Sequence, residues 1–301
     1  MGISQYIKEI GRGKDGARAL TRAQAADLMG QLLDGGLSDL EVGAFCLAMR
    51  IKGETVDEMA GFLDATQARL NRLADNGAVT IVLPSYNGAR KLPILTPLLA
   101  LLLAREGLPV LIHGAATESS RVFVADVLAL LDIAPWTAMQ PLAAGQLGFA
   151  PTELLCPGLR RLLDVRRVVG LRNSAHSLVK LMNPCLGRSV VVGSYTHPEY
   201  ARAMADTFER LQANALLLRG TEGEPVADAR RMPRMEGFIA GRATVLQEAQ
   251  TGSLAVLPEL PKDTSAASCV AYIRAVLAGL SAVPAPIVRQ VEHILHLSRQ
   301  P

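Results

Sequence analysis

Beyond residue 77 the chain alternates short, apolar, β-branched runs with helical stretches, and no other feature limits its fold as tightly. Residues 79–83 and 108–113 read as buried strands. A helix follows each, one opening at Thr96-Pro97 and one over 121–131. Parallel strands are joined only through crossovers, so strand–helix–strand–helix predicts α/β units around a mostly parallel central sheet. Residues 190–192, 215–218 and 253–257 are further strand candidates, with a crossover helix over 200–211 between the first two. The longest apolar run, 94–104, spans 11 residues between Lys91 and Arg105. A membrane span needs about 20, so this run is expected to be a buried core helix and no membrane association is expected. The charged, glycine-spaced stretch 220–242 reads as a long surface connection.

The first 76 residues have another character. Thr21 stands before a helix that stops at Gly35-Gly36, Ser38 precedes Glu41 at capping-box spacing, and Thr55 precedes Glu58 in the same way. Three capped helices predict a small all-helical domain over 1–76, followed by a larger α/β domain over 77–301. Half the residues are hydrophobic and only 4% are aromatic, which suits a helix-rich α/β protein better than a β-sandwich or a disordered chain.

Cys46, Cys156, Cys185 and Cys269 are widely spaced, without a Cys-x-x-Cys pair, and the N-terminus shows no secretion signal. Reduced thiols and a cytoplasmic location are expected. His113, His176, His197, His293 and His296 form no recognised metal spacing. No metal site is expected.

Charge is uneven along a chain of net +3. Residues 27–64 hold eight acids against two bases, −6. Residues 157–180 hold six bases against Asp164, +5, and residues 8–22 hold five bases against two acids, +3. A nearly neutral chain can therefore carry one strongly basic face.

The segment L-T-R-A-Q-A-A-D-L-M-G-Q-L-L-D-G-G-L-S-D-L-E-V-G-A-F-C-L-A-M-R-I-K-G-E-T-V-D-E-M-A-G-F, residues 20–62, resembles the helical domain of anthranilate phosphoribosyltransferases, a fold shared with pyrimidine and thymidine phosphorylases. V-G-L-R-N-S-A-H-S-L-V-K-L-M-N-P, residues 169–184, resembles that family's hinge region, and residues 190–200, ending H-P-E-Y, the strand and helix after it. The resemblance implies the family's two-domain fold, with hinge helices around 157–184 joining the helical domain. It also implies a homodimer formed through that domain, with Phe45, Leu47 and Met49 as candidates either for the partner face or for the core.

Active members of the family grip a substrate diphosphate with a G-T-G-G-D loop after the first strand, where glycines bring backbone N–H groups close to phosphate. Here that place reads P-S-Y-N-G-A-R-K, residues 84–91. Pro84 has no N–H to give and Tyr86 adds bulk, so the usual cradle is expected to be gone. Ser85, Tyr86, Asn87, Gly88, His113, Asn173, Glu222 and Glu224 then form a vestigial substrate groove. The family's K-H-G-N-R reads I-H-G-A-A (112–116), its H-P-A-M reads C-P-G-L (156–159), and its magnesium-binding acidic pair reads E-G-E-P (222–225). No catalytic residue and no cofactor are expected. The alternative is a phosphoribosyltransferase or phosphorylase with an altered diphosphate site, and only it would need Mg²⁺, held by Glu222 and Glu224.

P-S-Y-N-G-A-R-K together with G-L-R-N-S-A-H-S-L, G-T-E-G-E and the opening I-K-E-I-G-R-G-K is similar to a separate branch of TrpD-like sequences, the YbiB family. The resemblance implies a dimer that binds nucleic acid with little sequence preference. Candidate contacts to a DNA or RNA backbone are Lys8, Arg12, Lys14, Arg90, Lys91, Arg160, Arg161, Arg166, Arg167 and Arg172. Arg90 and Lys91 are read as standing just before a helix start, where amides favour an anion. Each cation that meets a phosphate releases counterions, giving salt-sensitive, sequence-indifferent binding. Other readings stand beside these. The pairs 160–161 and 166–167 suit a solvated helix face, and Arg172 suits a hinge tie. His113 and His176 suit packing, and Tyr86 suits either stacking on a base or plugging the old pocket. Arg230, Arg231 and Arg234 alternate with Asp228 and Glu236, so local ion pairs are expected there.

Overall fold

The computed structural model describes residues 2–13, 15–253 and 257–300. Four helices open the chain: α1 (Ser4–Ile10), α2 (Arg22–Asp34), α3 (Asp39–Lys52) and α4 (Val56–Gln67). The three expected caps form as full capping boxes, at Thr21 with Gln24, Ser38 with Glu41 and Thr55 with Glu58. Glu58 does more than cap. It is fully buried, accepts from the Leu20 amide at 2.9 Å and pairs with Lys52 Nζ at 2.6 Å, tying the start of α2 to the end of α3.

The α/β part then runs β1 (Thr80–Ser85), α5 (Thr96–Arg105), β2 (Val110–Gly114), α6 (Val124–Leu130), β3 (Leu147–Pro151), α7 (Thr152–Leu155), α8 (Pro157–Val169) and α9 (Ala175–Leu178). It continues with β4 (Ser189–Tyr195), α10 (Pro198–Arg210), β5 (Ala215–Arg219), β6 (Met235–Ile239), β7 (Arg242–Gln247), α11 (Ala266–Leu277) and α12 (Ala285–Ser298). One seven-stranded sheet has the order β3-β2-β1-β4-β5-β6-β7. The first five strands are parallel, while β6 and β7 add an antiparallel edge.

Period-two alternation splits the strands between two cores. Ile81, Leu83, Val110, Ile112, Val190, Val192, Leu216 and Leu218 face the core shared with α5, α6, α11 and α12. Val82, Leu111, Val191 and Leu217 face the other core, which runs without a break into Leu28, Phe45 and Phe62 of the helical bundle. Helix α8 lies against α2 so closely that a Cβ at Gly158 would sit 2.1 Å from the Leu33 carbonyl oxygen. The glycine of C-P-G-L therefore has a packing reason. The parallel strands all end at one edge, at Ser85, Gly114, Pro151, Tyr195 and Arg219, and that edge is the cleft where open α/β sheets place their ligands.

Several expectations are corrected or resolved. The stretch 220–242 is not a surface connection: residues 223–227 are buried and β6 is an interior strand. Strand β3 was not foreseen. Of the strand expected at 253–257, residues 254–256 lie outside the described residues and the flanking ones carry no strand. Phe45 and Met49 are buried within the bundle, so of the three interface candidates only Leu47 reaches the surface.

Removing one partner of a buried ion pair strands the other charge. Glu58→Ala is expected to cost about 3–5 kcal/mol, read as a lower urea midpoint with an unchanged m-value.

Candidate functional site

The loop after β1 meets the loop after β5, and two glutamates join them. Glu224 is buried, and its Oε1 accepts from the amides of Asn87 and Gly88, both at 2.8 Å. Its Oε2 accepts from the Thr96 hydroxyl at 3.2 Å and from the Ser85 hydroxyl. Glu222 Oε2 accepts from the amides of Arg90 (2.7 Å), Lys91 (3.0 Å) and Leu92 (3.3 Å). Five successive or near-successive N–H groups thus converge on two carboxylates, an arrangement of donors suited to an anion. The crevice between residues 88–94 and 221–226 retains a cavity volume of about 0 Å³. The donors expected to be lost are present, and the chain's own side chains fill them.

This contact holds an unusual backbone. Glu222 has φ 52°, ψ 20°, in the left-handed region, where a side chain costs about 1–2 kcal/mol. Gly223 follows at φ 87°, and a Cβ there would meet Asn87 Nδ2 at 2.0 Å. From below, Lys180 Nζ donates to the carbonyls of Gly223 (2.9 Å) and Ser194 (3.2 Å), and the Ser194 hydroxyl donates to Gly223 O at 2.7 Å. Both carboxylates are engaged by N–H or O–H donors, Glu224 in a buried setting and Glu222 in a half-buried one, which does not suit them to ligate magnesium. Among the described residues no group of three His, Cys, Asp or Glu is placed to hold a metal ion.

Arg90 and Lys91 lie in a turn several residues before α5, which starts at Thr96, and not immediately before the helix as expected. Their amides serve Glu222, while their side chains are exposed and form no ion pair among the described residues. Tyr86 is 2% exposed and lies in the core. The Thr152 hydroxyl donates to the Tyr86 oxygen at 2.9 Å, so the phenol O–H is left to donate to His113 Nδ1 at 2.8 Å. Tyr86 is therefore held inside the protein with no ring face exposed for stacking on a base. His113 is fully buried and belongs to the core beneath the groove; burial pushes its pKa down to about 3. Asn173 is buried too, donating to Leu162 O at 2.8 Å and accepting from the Ala175 amide at 3.1 Å.

The hinge arginines divide into two sets. Arg160 is bidentate on Asp164 (2.8 and 3.1 Å), Arg167 shares that carboxylate at 3.1 Å, and Arg161 donates to Leu33 O at 2.9 Å, fastening α8 to α2. The second set surrounds Glu118, which pairs with Arg166 at 2.7 Å and Arg121 at 2.6 Å. Burial works to raise the Glu118 pKa, but Arg121, Arg166 and Arg172 more than offset it and hold the group below the ordinary carboxylate range. Arg172 has no hydrogen-bond or ion-pair partner among the described residues. Burial, then the fields of Arg166 and Arg121, lower its pKa. Arg121 also donates to Asn87 O at 3.0 Å, which joins this cluster to the loop carrying Arg90 and Lys91.

A cavity of about 350 Å³ opens beside Arg172, lined also by Arg50, His176, Lys180, His197 and Tyr200. Lys8 and Arg12 sit apart at the end of α1, with Arg12 held by Glu9 at 2.9 Å. Lys14 lies outside the described residues. Arg121, Glu118 and Lys180 were not singled out as site residues in the sequence. Lys180 was visible only as one charge in the basic hinge window. The ion pairs expected at Arg230–Asp228 and Arg234–Glu236 form, at 2.8 and 2.7 Å.

An amide-lined turn at the strand ends, facing a helical bundle across a hinge, is the architecture of phosphoribosyl and glycosyl transferases. Residues 4–69 match the helical bundle domain of the glycosyl transferase family. The fold is similar to that of anthranilate phosphoribosyltransferase from Thermus thermophilus, with a TM-score of 0.73 at 23% identity over 97% of this chain and 88% of that one. It is also similar to the Saccharomyces cerevisiae enzyme in complex with PRPP and Mg, with a TM-score of 0.70 at 13% identity over 99% and 88%. In sequence, anthranilate phosphoribosyltransferase from Anaeromyxobacter sp. (strain K) is 35% identical over 198 residues, covering 64% of this chain and 58% of the relative. The protein YbiB of Escherichia coli (strain K12) is 39% identical over 292 residues, 94% of this chain and 90% of its own length. The chain belongs to the YbiB family, a branch of the anthranilate phosphoribosyltransferase superfamily.

Two buried histidines make stability depend on pH. Folding pushes His113 to about 3 and His176 to about 4, both mainly by burial, whereas in the unfolded chain both titrate near 6.5. Below pH 6.5 the unfolded chain binds more protons, so stability is complete above that pH and falls as pH drops towards 4. The slope is up to about 1.4 kcal/mol per pH unit for each histidine. Urea midpoints at pH 7 and pH 5 should differ accordingly, and His113→Asn should flatten the difference.

Proposed function

We propose that this chain is a homodimeric protein that binds DNA or RNA along the phosphate backbone without reading sequence, on a phosphoribosyltransferase scaffold whose diphosphate site no longer takes substrate. The observation that carries the reading is the excess of cations on one side of the cleft. Arg121, Arg166 and Arg172 surround the single carboxylate of Glu118, and the bond from Arg121 to Asn87 links them to Arg90 and Lys91, which are exposed and without an ion pair among the described residues. Like charges held together repel unless a partner supplies the missing negative charge. A polyanion does so and gains counterion release.

The filled amide turn supports the same reading. Phosphoribosyl diphosphate would have to displace Glu222 and Glu224 from hydrogen bonds that no other group in the turn replaces. Leu40, Leu47 and Ile51 are exposed on one face of α3, at spacings of seven and four residues, which supports dimerisation through the helical domain. No described helix is long and apolar enough to cross a membrane.

Gel retardation at low salt is expected with both single- and double-stranded DNA at micromolar protein. No retardation of either would refute the proposal. Arg90→Ala with Lys91→Ala should weaken binding equally across sequences and lower the log–log salt slope on duplex DNA by about 0.9 per lost contact.

The transferase alternative makes the opposite forecast. Calorimetry should show no binding of phosphoribosyl diphosphate, with or without Mg²⁺, to the native chain. Pyrophosphate binding should appear in a Glu222→Ala/Glu224→Ala variant. Heat of binding in the native chain would favour the enzyme.

A further inference from the structure

The cavity beside Arg172 holds more positive charge than its walls neutralise. Lys180 is only 9% exposed, yet no carboxylate lies within ion-pair distance of its ammonium among the described residues. Two of its three N–H donors reach carbonyls, at Ser194 and Gly223, and the third remains. Arg172 lines the same space without a partner. His176 lines it as well; the residue is 7% exposed, Nδ1 meets Asn173, and Nε2 is buried with no partner. Burial lowers the pKa of Lys180 to about 8, with Glu224 opposing and Arg172 adding to the fall, and burial followed by the fields of Arg172 and Arg166 lowers that of His176. Buried cations are ordinarily paired. Here Glu224 acts on Lys180 and Glu118 on Arg172 only from beyond ion-pair distance, and among the described residues no carboxylate bonds to either cation.

The remaining walls indicate what the missing group is attached to. Helix α10, 13 residues long, begins at the cavity with His197 at its N-cap, and no side chain caps its first amides. His197 and Tyr200 stand at the rim with ring centroids 6.4 Å apart, a pair of aromatic faces open to solvent. Glu54 is the single carboxylate in the lining, beside Arg50 at the mouth. A volume of about 350 Å³ lies within the range of about 300–1,000 Å³ usual for small-molecule sites. Lys180 and Arg172 with the unpartnered His176 Nε2, aromatic faces at the rim and Glu54 to accept from hydroxyls match a phosphate, a base and a ribose.

We propose that this cavity, separate from the filled amide turn, is an open site for the phosphate monoester of a nucleotide, either a free 5′-mononucleotide or the 5′-phosphorylated end of a nucleic-acid strand. The strand-end form rests on the nucleic-acid reading above, and the free-nucleotide form does not. Phosphate sits among Lys180, Arg172 and His176, and the base lies against His197 and Tyr200, where stacking tolerates any base.

The test uses the full chain with AMP, adenosine and inorganic phosphate as probes, followed by one oligonucleotide with a 5′-phosphate or a 5′-hydroxyl. AMP and phosphate are expected to compete for one site, and adenosine is not expected to bind. The 5′-phosphate should tighten oligonucleotide binding about tenfold or more, the worth of a charge-assisted bond. His176→Gln should reduce that advantage while the 5′-hydroxyl strand binds as before, and Arg172→Gln, which also removes a cation of the backbone-binding cluster, should weaken AMP binding. His176→Gln leaves the Lys180 bonds to Gly223 and Ser194 untouched, so it separates ligand loss from loosening of the loop. In the native chain AMP should also raise the titration midpoint of the His176 ring protons above about 4, which a packing role alone would not do. The proposal is overturned if AMP and phosphate fail to bind at millimolar concentration and the 5′-phosphate adds nothing. It is equally overturned if an aromatic carboxylate binds there and AMP does not. AMP binding without retention of either oligonucleotide would sink the nucleic-acid reading and leave the free-nucleotide site standing.

Discussion

The carboxylates of Glu222 and Glu224 meet a row of backbone amides, and the shape of the cleft follows from that contact. An amide turn at the end of a parallel strand concentrates positive potential, and leaving its donors unpaired in a buried place costs about 1–3 kcal/mol each. Most proteins with such a turn leave it for a ligand. Here the loop after β5 returns across the strand ends and fills it, with Lys180 and Ser194 holding the loop from below through Gly223 O. The left-handed backbone at Glu222 is tolerated because three amide bonds to its side chain and the Asn87 bond to its carbonyl outweigh the strain. Closing the turn also fixes the loop from 85 to 92, so Arg90 and Lys91 have a stable backbone from which to project.

With Glu222 and Glu224 committed to the amide turn, the other cations of the cleft share few carboxylates. Asp164 absorbs Arg160 and Arg167, and Leu33 O takes Arg161, so much of the basic hinge window serves to hold α8 in place. What remains is smaller and better placed: three guanidiniums around Glu118, then Lys180 and His176 deeper in. A count of charges along the chain overstates the first set and misses the second. Net charge in a segment says how many cations there are, not how many are already paired.

Much of the architecture was legible in advance. The capping boxes at Ser38 and Thr55 are local devices, complete within four residues, and they form as their spacing implies. The strands at β1, β2, β4 and β5 are apolar on both faces because helices cover both, so they stood out as continuous runs. Strands β3, β6 and β7 did not. L-G-F-A-P and M-E-G-F-I are broken by glycine, proline or charge, and R-A-T-V-L-Q is an edge strand with little burial. Their strand character comes from neighbours that supply hydrogen bonds, which no local pattern records.

The sequence by itself determined the capped helical domain, the parallel α/β core, the family and the rewriting of the loop at 84–91, because each is written in local periodicity or in contiguous residues. Only the tertiary structure decided what the rewriting means. Glu224 and Gly88 are 136 residues apart and Glu222 and Arg90 are 132 apart, and nothing short of the folded sheet brings them to hydrogen-bond distance. The same holds for which arginines are paired. Pairing depends on the distance between side chains in space and on the water excluded around them, and both are set by how the hinge helices pack against the sheet.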